Sequence, residues 1–164
     1  LAADQDFPAA LYQLGEMYEK GSGNWEKSEA ARYYERAAKK EYAQAEYKLG
    51  AMYASGEVFK KDELKAINFY KKAGDHGFAN GYYALGMIYA NGKGVKIDEK
   101  TALHFYQLAA SQGDASAQYN LGSMYAEGKG VEKNEAEATR LHKLAAEQGY
   151  KTAQNNLQVQ KVNL

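Results

Sequence analysis

A chain of 164 residues with 21 basic and 21 acidic side chains and no cysteine excludes several classes of protein at once. Charge is spread evenly, so the basic stripe that would track nucleic-acid phosphates is missing, and nucleic acid is not an expected partner. Without thiols there is no disulfide scaffold, cysteine-ligated zinc or thiol nucleophile, and no apolar run approaches the ~20 residues that cross a bilayer.

Taken in order, the chain opens with Leu-Ala-Ala-Asp-Gln-Asp. Shifted by 107 these six residues fall on Leu108 to Gly113, and shifted by 143 on Leu144 to Gly149. They read as the closing turn of a preceding repeat, which predicts a longer array trimmed at this point. The competing reading makes Leu-Ala-Ala the end of a signal peptide; no other sign of one is recognisable.

From Ala10 onward one skeleton recurs, A-x-Y-x-L-G-x-x-Y. It is complete at Ala10 to Tyr18, Ala45 to Tyr53 and Ala117 to Tyr125, and it returns at Gly81 to Tyr89 with only its first residue changed. The Leu-Gly pairs at 14/15, 49/50, 85/86 and 121/122 are 35, 36 and 36 residues apart, the period of a stacked helical array. The units are placed at 7–41, 42–77, 78–113 and 114–149, with 1–6 left from the earlier repeat and 150–164 as a C-terminal capping helix.

Each unit reads as two helices. In the first, Ala10, Leu14, Met17 and Tyr18 form one apolar face at helical spacing. In the second, Ala66, Tyr70, Ala73 and Gly74, and likewise Ala102, Tyr106, Ala109 and Ala110, do the same. Gly15, Gly50, Gly86 and Gly122 each weaken a helix interior by about 1 kcal/mol against Ala. A glycine kept in every copy predicts a helix crossing too close for a Cβ. Asp62, Asp98 and Asn134 are expected N-caps, and Gly92-Lys93-Gly94-Val95 and Gly128-Lys129-Gly130-Val131 end the first helix of their units. Val58 stands where the later loops have a second glycine, so that turn must differ. The first loop is one residue shorter and carries Trp25. In the last helix, Gln158 and Asn155 replace the glycine and a tyrosine, as a cap would.

Few residues suggest chemistry. His76, His104 and His142 have no metal-ligand spacing, and His142 occupies a slot held by Tyr34, Tyr70 and Tyr106, where it reads as an aromatic substitute. No serine lies in a nucleophile elbow. The Gly-x-Gly loops lack a P-loop's strand and Lys-Ser/Thr ending. Acidic pairs such as Glu135 and Glu137 sit in first turns, where the helix dipole accounts for them. No catalytic, cofactor-binding or metal-binding residue is assigned. The tyrosines of slots 12/47/83/119, 18/53/89/125 and 34/70/106 read as scaffold, the first slot edging toward a groove.

Positions that vary between copies are free to serve a ligand. Before the Leu come Gln13, Lys48, Ala84 and Asn120; after the Gly come Glu16, Ala51, Met87 and Ser123; further on lie Lys20, Ser55, Asn91 and Glu127. Spacings of three and four place these sets on one stripe of the first helices. It is charged in the first two units and turns apolar at Ala84 and Met87, with Tyr82 beside them. An apolar centre with polar surroundings suits a peptide or protein segment.

With the A-x-Y-x-L-G-x-x-Y skeleton, the Gly-x-Gly-Val loops, the Asp caps and the A-x-x-x-[YF]-x-x-A-A helix in view, the chain resembles the Sel-one-like repeat family over nearly its whole length. That family is a relative of the tetratricopeptide repeat. The 36-residue step, the loop and the lack of any proline beyond Pro8 set the chain apart from a plain tetratricopeptide array. The resemblance implies an all-α solenoid, a right-handed superhelix of about four and a half αα-hairpins whose first helices line a concave face. It implies a non-enzymatic scaffold or adaptor that binds a protein or peptide there, as a monomer, without entering a membrane. The bacterial periplasm or envelope is favoured over the cytoplasm. The alternative is a toxin-neutralising (immunity) or enzyme-inhibiting binder. The paired cysteines of secreted members are absent, so nothing specific to those members is carried over.

Overall fold

In a computed structural model, which describes residues 7–21 and 24–162, nine α-helices and no strand are found among the described residues. The helices are α1 (Pro8–Glu19), α2 (Asn24–Ala38), α3 (Ala43–Ser55), α4 (Glu63–Asp75), α5 (Ala79–Asn91), α6 (Glu99–Ser111), α7 (Ala115–Glu127), α8 (Glu135–Glu147) and α9 (Lys151–Val162). They form an all-helical repeat of helix pairs. The chain divides into two compact units, Leu1–Gly81 and Tyr82–Leu164. Residues 1–6, expected to end an earlier repeat, lie outside the described residues, as do Ser22 and Gly23 of the first loop and the side chains of Trp25 and Gln158.

In unit 1, α1 packs on α2, α2 on α3 and α3 on α4. The core is built from Leu11, Leu49 and Met52 on the first helices and from Ala30, Ala31, Tyr34 and Ala37 on α2, all buried. Alanines on the second helix let the backbones close in, and Tyr34, with no exposed surface, fills the space left beneath Gly15. A Cβ on Gly15 would stand 2.5 Å from the Tyr34 ring, and one on Gly50 would stand 2.8 Å from that of Tyr70.

Unit 2 repeats the device. A Cβ on Gly86 would lie 2.5 Å from the Tyr106 ring and one on Gly122 would lie 2.6 Å from the imidazole of His142. The close crossing expected from the sequence is present in every repeat, with an aromatic ring in the space a side chain would take. His142 is the expected substitute: its ring packs 4.9 Å from that of Tyr119.

Capping follows the sequence. Asp62, Asp98 and Asn134 each accept the backbone N–H three residues on, at 2.9, 3.0 and 3.0 Å. The turn at Val58 differs as anticipated. In the two later loops Lys93 and Lys129 send their N–H back to Ile88 and Met124 at 3.1 and 3.0 Å, whereas Glu57 N–H bonds to the Ser55 hydroxyl at 3.3 Å. Gly130 cannot be replaced there: its φ is +70°, and a Cβ would lie 2.6 Å from the Glu99 carbonyl oxygen. Glu41 takes a left-handed φ of 58° at a position that is Gly77, Gly113 and Gly149 in the other repeats.

Candidate functional site

The outward stripe of the first helices opens into one cleft in each unit, and the two occupy equivalent repeat positions. In unit 1 a cleft of about 210 Å³ is lined by Glu19, Lys27, Lys48, Ala51, Met52, Ser55, Glu57 and Val58. Its charges cancel in pairs. Lys48 Nζ meets Glu19 at 2.5 Å, and Lys27 Nζ meets Glu57 at 2.8 Å. Glu19 also accepts the Tyr34 hydroxyl at 2.8 Å, which satisfies a fully buried side chain. Of the residues expected here, Lys48, Ala51 and Ser55 line the cleft. Gln13 on α1 and Lys20 at its C-cap are exposed and do not line the cleft, and Glu16, half-buried, accepts the Tyr12 hydroxyl at 2.9 Å.

In unit 2 the cleft is larger, about 320 Å³, between α5, α6 and α7. Met87, Asn91, Asn120, Ser123 and Glu127, all expected from repeat comparison, line it together with Ala90, Glu99, Tyr106, Met124 and Lys129. Asn91 Nδ2 donates to the Met87 carbonyl at 2.8 Å, and Asn120 Nδ2 contacts Met87 Sδ at 3.7 Å. Asn120 also hydrogen-bonds the Tyr106 hydroxyl. Ala84 is half-buried and does not line the cleft.

Tyr82 must be removed from the expected stripe. Its side chain is buried, 9 % exposed, with its ring 6.1 Å from Phe105. The physical reason is helical phase: Tyr82 lies four residues before Gly86 and so shares the crossing face, whereas Met87 points well round the helix from it. The same slot is filled by buried Leu11, Glu46 and Gln118 in the other repeats.

That slot is polar in two repeats. The buried Glu46 carboxylate contacts His76 Nδ1 at 2.7 Å, and buried Gln118 accepts from Gln148 Nε2 at 2.7 Å. Both pairs tie a first helix to the C-cap of its partner thirty residues on, so they are scaffold. The first tyrosine slot is scaffold too: Tyr12 packs between Tyr34 and Tyr42 at 5.6 and 5.4 Å, and Tyr47 between Tyr70 and Phe78 at 5.4 and 5.3 Å.

Ser123 Oγ and His142 Nε2 lie 3.4 Å apart beside the cleft. Both, however, are turned to the same acceptor, the Tyr119 carbonyl, at 3.2 Å each. A hydroxyl that gives its proton to a backbone carbonyl is not activated by a neighbouring imidazole. Among the described residues no three His, Asp or Glu side chains gather as a metal site would need, and no helix is long and apolar enough to cross a membrane.

Sequence reading missed Glu19, Lys27, Glu99 and Lys129. A signal was available: Lys27 and Glu57 in one unit become Glu99 and Lys129 in the other, the same slots with signs exchanged.

Comparison with known proteins agrees with this architecture. The Sel1 repeat family model matches residues 8–42, 43–78, 79–114 and 115–150. A Sel1 repeat protein from Oxalobacter formigenes is similar at 37 % identity, covering 93 % of this chain and 62 % of its own, with a TM-score of 0.87. A protective antigen of uropathogenic Escherichia coli with an SLR fold is similar at 34 % identity, covering 95 % of this chain and 34 % of its own, with a TM-score of 0.85. An immunity protein from Pseudomonas aeruginosa is similar at 26 % identity, over 92 % of this chain and 55 % of its own, with a TM-score of 0.64. The chain spans less than two thirds of each of these relatives. Curated protein sequences yield no match. Four consecutive matches to one repeat, each a helix pair closed over a glycine, make the chain a member of the Sel1 repeat family.

Proposed function

We propose that this chain is a non-enzymatic binding scaffold that holds a segment of another protein on the outward stripe of its first helices, chiefly in the unit 2 cleft. The observation that carries the reading is the contrast within that stripe. Repeat-invariant residues are engaged in stacking, while Met87, Asn91, Asn120 and Ser123 line an opening with an apolar floor and polar walls. Such a surface suits a protein segment with an anchoring side chain better than a phosphate or sugar. In unit 1, Lys48, Ala51 and Ser55 line the equivalent cleft, and Gln13, Glu16 and Lys20 belong to the preceding copy of the same stripe.

A photo-crosslinking residue placed at Met87 in the source cell tests this, with one at exposed Gln107 of α6 as control. A discrete protein adduct from position 87 and none from 107 is expected. Equal adducts at both positions, or none at 87, refute the assignment.

A second reading, a toxin-neutralising binder, is favoured by one observation, the similarity to an immunity protein of Pseudomonas aeruginosa. The adduct decides between them: stoichiometric inhibition of a captured toxic enzyme supports neutralisation, and capture of a non-enzymatic partner supports adaptor work.

A further inference from the structure

The unit 2 cleft has a chemical bias that its shape alone does not convey. Its floor is apolar and adaptable, with Met124 buried and Met87 half-buried. Each of its polar side chains already spends a donor on the scaffold. The Asn91 amide N–H₂ donates to the Met87 carbonyl, that of Asn120 faces Met87 Sδ, and the Ser123 hydroxyl donates to the Tyr119 carbonyl. Asn120 is also taken by the Tyr106 hydroxyl, so the Asn91 oxygen and second N–H and the serine lone pairs are left, a set in which acceptors predominate. The rim leans the same way. Glu99 and Glu127 stand against one ammonium, Lys129, which Glu127 holds at 2.5 Å.

We propose, resting on the binding role above, that this cleft takes an extended peptide segment presenting one aliphatic side chain next to a lysine or arginine. The aliphatic group sits over Met87 and Met124. The peptide N–H groups meet the acceptors of Asn91 and Ser123, and the cation meets the excess carboxylate at the rim. An acidic segment is disfavoured, because its carboxylate would meet Glu99 and Glu127 at the rim against one ammonium that Glu127 already holds. Unit 1 has no such bias, since its two carboxylates and two ammonium groups already pair with each other.

The test uses the full chain and two blocked fluorescent peptides, each with a central leucine flanked by two lysines or by two glutamates. In anisotropy titrations at low salt the lysine peptide should bind about tenfold more tightly. Exchanging its leucine for serine should weaken it. Glu99→Gln with Glu127→Gln should bring the preference below about threefold without moving the melting temperature. Glu57→Gln, in the unit 1 cleft, should leave the preference intact. Equal or tighter binding of the glutamate peptide, no binding of the lysine peptide, or a preference indifferent to the double substitution overturns the inference. If the crosslink at position 87 forms and the lysine peptide still shows no advantage, only this inference falls. If neither is seen, the binding role falls with it.

Discussion

The two clefts fill the same repeat positions with different chemistry, although the scaffold beneath them is the same. In unit 1 the phenol of Tyr34 gives its proton to Glu19, and Lys48 then neutralises that carboxylate. In unit 2, Ala90 stands in the Glu19 slot and Asn120 in the Lys48 slot, and Asn120 satisfies the Tyr106 hydroxyl directly. The ring over the glycine is required for stacking, and a buried hydroxyl must find a partner. How it finds one is a local choice, and that choice sets the surface above it. A carboxylate brings a lysine with it and produces a closed, self-paired cleft of about 210 Å³; an amide needs no counter-ion and leaves one of about 320 Å³.

The most severe way to break the comparison is to remove the shared scaffold from one side. Gly86→Leu forces a side chain into the Tyr106 ring directly beneath Met87, and a loss of about 3 kcal/mol is expected from urea unfolding. An unchanged midpoint would mean that the crossing is not close-packed.

A finer cut exchanges the two solutions. Glu19→Ala leaves the buried Tyr34 hydroxyl without its acceptor and should cost about 2 kcal/mol. Adding Lys48→Asn installs the unit 2 arrangement and should recover more than half of that loss, so the two changes should be strongly non-additive. Simple additivity would show that the Tyr34 hydroxyl does not need its partner.

The gentlest test leaves the chain intact and raises the pH. Burial pushes the phenols of Tyr70 and Tyr106 up to about 12. Burial, then hydrogen bonds to Glu16 and Glu19, raises those of Tyr12 and Tyr34 further. A phenol raised in the folded state holds its proton more tightly there than in the unfolded chain. Its contribution is therefore complete below about pH 10 and is lost as the pH climbs through the folded value. Three of these four rings belong to unit 1, so amide protection in α1 to α4 should disappear before that in α6 to α8. Tyr70→Phe should shift the loss in unit 1 upward with little change at neutral pH. A melting temperature level from about pH 9 to about pH 12 contradicts this account.

Much of this molecule was legible because it is written several times. The glycine at each crossing, the three side-chain N-caps and the altered turn at Val58 follow from laying one copy over the next, and all were found as expected. The varying positions Met87, Asn91, Asn120, Ser123 and Glu127 also came from that comparison and do share one cleft. Tyr82 did not, because adjacency in sequence was read as adjacency on a face, and its helical phase turns it inward. Glu19, Lys27, Glu99 and Lys129 were passed over because each was judged within its own helix.

Sequence by itself determined the period, the helix pairs and the positions that stacking demands, since these rest on local propensity and on spacings within one helix. Tertiary structure decided which groups are joined: Lys48 to Glu19 and Glu46 to His76 lie 29 and 30 residues apart, and Lys27 and Glu57 another 30. Such partners meet only after the helices have packed, and it is those meetings that close one cleft with paired charges and leave the other lined with amides and a serine.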